Sequence, residues 1–208
     1  IMARAIAREA DGVRLVLVGR QPANAAVEAL LAELAALGAE AEWQQADVSD
    51  GIATAALVSA VVAAHGRLDG VIHAAGVLAD AWLVRKTPAE LAAVLAPKVA
   101  GAVNLDAATR DVGLGWLLLF SSGAAQGNPG QADYAAANGF LDAFAEWRES
   151  ERVAGRREGR TLSLGWPHWE EGGMELDAAT REAMALQGAG SLTAEQGLAA
   201  LRAAAALN

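Results

Sequence analysis

Leu114-Gly-Trp-Leu-Leu-Leu-Phe120-Ser-Ser122 is an apolar run closed by two hydroxyl residues. Its length and its leucines read as a buried strand, Leu114 to Phe120. A loop punctuated by Gly127, Pro129 and Gly130 follows, and then a long helical stretch, Asp133 to Val153. The same alternation extends outward in both directions. Upstream, Val13-Arg-Leu-Val-Leu-Val18 lies between Gly12 and Gly19 and reads as a strand buried on both faces. Ala23 to Leu37 reads as a helix ending at Gly38. Glu40 to Ala46 reads as a strand, and Ile52 to Ala64 as a helix capped by Ser49 or Asp50. Gly70 to Ala75 is the next strand and Pro88 to Arg110 the next helical region. Downstream come a short strand, Thr161 to Leu164, an irregular Gly/Trp/Glu stretch to about Gly190, and a final helix, Leu192 to Leu207, opened by Thr193 with Glu195 and Gln196. Strands joined by helical crossovers imply an α/β fold with a parallel, doubly wound sheet.

The 208 residues suffice for one sizeable core, and no repeat, linker or composition shift divides them, so a single domain over 1–208 is expected. A hydrophobic fraction of 54% excludes a disordered chain. The net charge of -9 offers no basic footprint for nucleic acid, and no Lys/Arg cluster marks a membrane surface. No apolar run is read as spanning a bilayer. With no cysteine, disulfides and thiolate metal sites are excluded, which fits a cytoplasmic setting; three histidines, His65, His73 and His168, argue against structural zinc.

Four polar residues are the candidates for chemistry: Lys98, one serine of the pair Ser121–Ser122, Tyr134 and Asn138. On the helix from Pro88, residues Leu91, Leu95, Ala102 and Leu105 recur on one face, and Lys98 falls on that stripe. A lysine on a core-facing stripe either snorkels or meets a partner. The second reading is preferred, with a functional ammonium under the sheet edge. Tyr134, the chain's single tyrosine, and Asn138 are four apart and share a helix face with Leu141 and Ala145. Taken alone, Asn138 could equally hold a loop or a buried water. Ser121 and Ser122 stand at a strand end, where open α/β sheets place ligands.

Phe120-Ser-Ser122 followed by Gly127-Asn-Pro-Gly-Gln-Ala-Asp-Tyr134-Ala-Ala-Ala-Asn138 closely resembles ketoreductase domains of modular polyketide synthases. His73-Ala-Ala-Gly76-Val-Leu, Arg85-Lys-Thr-Pro88, Ala96-Pro-Lys98-Val-Ala-Gly101 and Trp166-Pro-His-Trp-Glu-Glu-Gly-Gly-Met174 extend the resemblance, in order, from about Ile1 to Leu207. These domains are relatives of the short-chain dehydrogenases/reductases and share their Rossmann-like fold.

The resemblance implies NADPH-dependent reduction of a β-ketoacyl group on an acyl carrier protein. Tyr134 would protonate the carbonyl oxygen, with Lys98 favouring the phenolate and bonding the nicotinamide ribose. Ser122 would orient the carbonyl, and Asn138 would hold a proton-relaying water. Counting from the strand end selects Ser122 as the catalytic serine; counting back from Tyr134 by the family's usual gap selects Ser121. The strand end is preferred. For the cofactor, Gly19 and Arg20 would stand where the ribose substituent is chosen, arginine favouring a 2′-phosphate. Asp47 and Val48 would meet the adenine, Ala74, Ala75 and Gly76 would admit the backbone closely, and Trp166 and Pro167 would flank the nicotinamide. On the substrate side stand Asp80, Gln126 and Met174. Asp80 keeps the last aspartate of a Leu-Asp-Asp motif, and Gln126 replaces the tryptophan of the opposite stereochemical class, so a D (3R) hydroxyl is expected.

The family's glycine-rich phosphate loop and first strand are not found, and Ile1–Glu9 looks like the helix after that loop, so an N-terminally truncated domain is expected. Other synthase domains, including an upstream structural half-domain, are the implied partners. A free-standing short-chain reductase and an inactive, reductase-like scaffold are the competing readings.

Overall fold

The computed structural model describes residues 1–172 and 190–206. The chain divides into two units, residues 1–45 with 167–208, and residues 46–166.

In the first unit, α1 (Met2–Glu9) precedes β1 (Arg14–Gly19), α2 (Ala25–Ala36) and β2 (Glu40–Gln45), which runs parallel to β1 with Arg14 opposite Glu40 and Gly19 opposite Gln45. Side chains alternate along β1, so Val13, Leu15 and Leu17 pack with Ala7 of α1 and Leu34 of α2. The alternate residue Val18 stays 38% exposed. The expected strand buried on both faces is therefore half-buried, because among the described residues β1 is paired with β2 alone. Asn24 caps α2 by accepting from the amides of Ala26 and Val27. The last helix, α6 (Ala194–Ala206), opens on a reciprocal box: Thr193 Oγ1 accepts from Gln196 N–H, and Gln196 Oε1 accepts from Thr193 N–H. Residues 168–170 bond back to Leu192, and the Trp169 ring lies on Gly197, whose absent Cβ would sit 2.1 Å from the ring. Gly19 is covered in the same way by the Trp43 ring.

The second unit holds α3 (Gly51–His65), β3 (Gly70–His73), α4 (Pro88–Ala108), β4 (Trp116–Ser122), α5 (Ala132–Val153) and β5 (Arg160–Trp166). Its three strands are parallel in the order β3-β4-β5. β4 is the middle strand, with Leu117, Leu118 and Leu119 all buried, as a strand covered on both faces must be. Its Leu117 and Leu119 pack with Ala102 of α4 and Leu141, Phe144 and Ala145 of α5. Asp50, rather than Ser49, caps α3, accepting from Ile52 and Ala53 amides, while Ser49 bonds Asp47. Thr87 and Glu90 form a capping box on α4, with Pro88 in its first turn.

β5 is longer than its expected span, because register with β4 carries it through Ser122 opposite Trp166. β3 stops at His73, short of Ala75. β4 starts two residues late, since Gly115 is held by the Asp69 carbonyl. Gly70 lies under the Trp116 ring. By length and composition α4 could cross a membrane, with a mean hydropathy of 1.3. In the structure it packs against α3 and α5.

Candidate active site

The catalytic candidates all lie in the second unit. The buried face of α4 is Val94, Pro97, Lys98, Gly101, Ala102, Leu105 and Asp106. It is rotated from the expected stripe, so Leu91 and Leu95 are only half-buried. Small Gly101 explains the rotation: its missing Cβ would meet His73 at 2.9 Å and Val48 at 3.1 Å, so the helix seats there. This rotation carries Lys98 fully inside, 4% exposed. Its Nζ donates to the Phe120 carbonyl at 2.7 Å and stands 5.6 Å from the centre of the Tyr134 ring. Burial pulls the Lys98 pKa down to about 8, with the charge of Asp142 opposing the fall.

Tyr134 and Asn138 sit on the inner face of α5, both buried. Asn138 Nδ2 donates to the Tyr134 carbonyl at 2.8 Å, while its Oδ1 is buried with no hydrogen-bond partner. The two serines separate at the end of β4. Ser121 is buried and gives its hydroxyl to the Asn138 carbonyl at 3.2 Å. Ser122 is half-buried, and its Oγ accepts the Ala124 amide at 3.2 Å, which leaves its proton to donate.

Ala74, Ala75 and Gly76 leave β3 at the same end, with Ala74 and Gly76 exposed. A Cβ on Gly76 would lie 3.1 Å from Lys98 Cε, a tight contact that glycine avoids. Asp47 Oδ1 binds the backbone and hydroxyl of Ser49, and the Val48 carbonyl accepts from Asn104 and Thr54. Trp166 is buried against Phe120 with ring centres 5.5 Å apart. Asp80 is exposed and accepts from Gln131 at 2.7 Å, and Gln126 is exposed at the end of the turn after Ser122. In the first unit, Gly19 is the seat of Trp43, Arg20 is exposed with its carbonyl bonded by Gln45, and Pro167 is exposed. Met174 lies outside the described residues.

Two features escaped the sequence reading. Lys86 and Asp133, 47 residues apart, form an ion pair whose side chains are each 1% exposed. His73, given no role by the sequence, is 3% exposed with Nε2 unpartnered. Burial, reinforced by the charge of Lys98, pulls its pKa down to about 4, so it is neutral at pH 7. Both residues of the ion pair lie within quoted motifs, Lys86 in Arg85-Lys-Thr-Pro88 and Asp133 before Tyr134, and nothing in the sequence pointed to their pairing.

The KR domain family model matches residues 1–171. PksL and PksN, polyketide synthases of Bacillus subtilis, are each 44% identical to this chain, over 86% and 97% of it. ThaG of Burkholderia thailandensis, another polyketide synthase, is 40% identical over 99%. The chain spans about 4% of the length of each of these relatives. Among solved structures, a ketoreductase domain from the bacillaene assembly line superposes with a TM-score of 0.93 at 40% identity, over 96% of this chain and 48% of that one. Parallel strands, crossover helices and this similarity together define a Rossmann-like fold of the short-chain dehydrogenase/reductase type. The chain belongs to the KR domain family, whose similar members here are parts of polyketide synthases.

Proposed function

We propose that residues 1–208 act as one ketoreductase domain that reduces a β-ketoacyl thioester to the β-hydroxyacyl form. The observation that carries this reading is a buried ammonium, Lys98, 5.6 Å from the ring of the only tyrosine, beside a strand-end serine. NADPH, when bound, supplies the hydride. Tyr134 holds the proton that passes from its hydroxyl to the substrate's carbonyl oxygen, closing the alcohol O–H bond. Ser122, whose proton is uncommitted, donates to the same oxygen and stabilises the charge that develops there. Lys98 uses one N–H on Phe120, so two remain for a ribose hydroxyl and for the field at the phenol. The unpartnered Asn138 Oδ1 suits a bound water, through which the Tyr134 proton is replaced.

The cofactor fits what this unit presents: Gly76 gives the close backbone passage beside Lys98 that a ribose would use. Ala74, Ala75, Asp47, Val48 and Trp166 are assigned to the cofactor on the same reading; for Gly19, Arg20 and Pro167 the cofactor assignment rests on the family resemblance alone. Arg20 favours NADPH over NADH. The substrate is carried on an acyl carrier protein in the cytoplasm, within a synthase whose other domains, including a structural half-domain, are partners. Asp80 and Gln126 favour the D (3R) alcohol.

The test is nicotinamide oxidation by the intact synthase module with a β-ketoacyl thioester, wild type against Tyr134→Phe. Turnover lost in the variant with cofactor binding kept supports the assignment. A wild type that binds NADPH and does not turn over would instead be a scaffold. Chiral analysis of the alcohol decides the stereochemistry, and an L product overturns that part.

A further inference from the structure

The first turn of α5 carries Tyr134, yet its N-cap residue, Gln131, makes no side-chain cap bond. A helix end without a cap frays, and fraying here would swing the phenol. Something else must hold it. Asp133, in that turn, accepts the Tyr134 amide on Oδ1 at 3.0 Å and Lys86 on Oδ2. Lys86 reaches in from the segment between β3 and α4, where its Nζ also donates to the Ala79 carbonyl. Two further bonds join the same segments: Ala81 N–H to the Gly130 carbonyl at 2.9 Å, and Gln131 Nε2 to Asp80 at 2.7 Å.

A buried ion pair contributes little net stability compared with a well-packed apolar pair, because both charges lose their water. Its geometry, however, is demanding: the ammonium must meet one carboxylate and one carbonyl at once. We infer that the Lys86–Asp133 pair is a positioning clamp, which fixes the start of α5 against the β3–α4 segment and so holds Tyr134 where it delivers its proton. This inference rests on the ketoreductase reading for its kinetic consequence, and on the geometry alone for its structural one.

The test uses the intact domain with Lys86→Met, Lys86→Arg and, as a control, Arg148→Met. Arg148, also on α5, forms a buried pair with Asp106 of α4, and its other bonds go to Gly159, Glu158 and Thr161. For Lys86→Met, kcat is expected to fall ~30-fold or more with KM within ~3-fold, and Lys86→Arg should recover to within ~5-fold of wild type. Arg148→Met should unfold more readily with kcat per folded molecule unchanged.

A second readout needs no turnover. These 208 residues hold one tyrosine, so with tyrosine labelled at Cζ the NMR line that is missing from Tyr134→Phe is the line of Tyr134. That line should broaden or split in Lys86→Met and stay single in Arg148→Met. If Lys86→Met does not fold, Lys86→Gln is read by the same criteria. A single sharp line in the Lys86 variant, with kcat within ~3-fold of wild type, overturns the clamp. Should wild type show no turnover, the ketoreductase reading fails and the tyrosine line alone decides the clamp.

Discussion

Replacing Lys98 by methionine should abolish turnover and raise stability near neutral pH. The ammonium is 4% exposed, and burial lowers its pKa from 10.5 to about 8. One pKa unit is worth about 1.4 kcal/mol, so keeping the charge inside costs the native state about 3 kcal/mol at pH 7. Against this, the variant loses the bond to the Phe120 carbonyl, worth about 1–2 kcal/mol. The net expectation is a gain of about 1–2 kcal/mol at pH 7.

The pH dependence is the sharper part. Between about 8 and 10.5 the unfolded lysine holds a proton that the folded one has released, so wild-type stability rises with pH across that window. Below it both states are charged and the penalty is whole; above it both are neutral and the penalty is gone. The margin of Lys98→Met over wild type should therefore shrink by about 2 kcal/mol between pH 7 and about pH 9.5. Urea unfolding of both proteins at the two pH values measures this. A margin that stays constant or widens with pH refutes the reasoning about the buried charge, whatever the activity does.

Other expectations follow from the same geometry. His73 is neutral in the fold down to about pH 4 but takes a proton near 6.5 when unfolded, so wild type should lose about 2–3 kcal/mol between pH 7 and about pH 4.5. His73→Gln should flatten that slope in urea titrations, and an unchanged slope refutes it. Gly155 and Gly159 both have φ near +75°, at 73° and 76°, but only Gly159 lies against backbone, with the Leu114 carbonyl 2.3 Å from its Cβ position. Gly155→Ala should cost about 1–2 kcal/mol and Gly159→Ala at least about 2 kcal/mol more, read as Tm and urea midpoints. Arg148→Met removes bonds to Asp106, Gly159, Thr161 and Glu158 while Asp106 keeps Arg157, so it should cost about 2–4 kcal/mol, and a cost under about 1 kcal/mol would refute the burial argument.

The strands and crossover helices were legible because the apolar runs around Leu117–Leu119 and Leu15–Leu17 have strand length and sit between longer helical stretches. Lys98, Tyr134 and Asn138 were legible because helical spacing puts each on the inner face of its helix. Spacing located the stripe of α4 only to within a fraction of a turn. The final rotation depends on Gly101 accepting His73 and Val48, contacts made with other segments of the chain. The Lys86–Asp133 pair was invisible for a related reason, since loops of irregular backbone have no period from which to compute a facing residue. The two serines differ in partners that no sequence spells out: Ser121 gives its hydroxyl to a backbone carbonyl, and Ser122 accepts a backbone amide.

The tryptophan seats have an evolutionary side. Trp43 on Gly19, Trp116 on Gly70 and Trp169 on Gly197 are each a volume exchange, in which one residue gives up its Cβ so that an indole can occupy the space. Neither member can change size alone, so the six positions should drift as three coupled pairs when relatives diverge, with alanine or serine entering at a glycine only where a smaller ring or an aliphatic has replaced its tryptophan. The pairs also divide by unit, two in the first and one in the second. The indoles of this chain therefore form separate local gauges of packing, and a substitution that loosens one unit should be visible in the emission of its own tryptophans before it is visible in the other's.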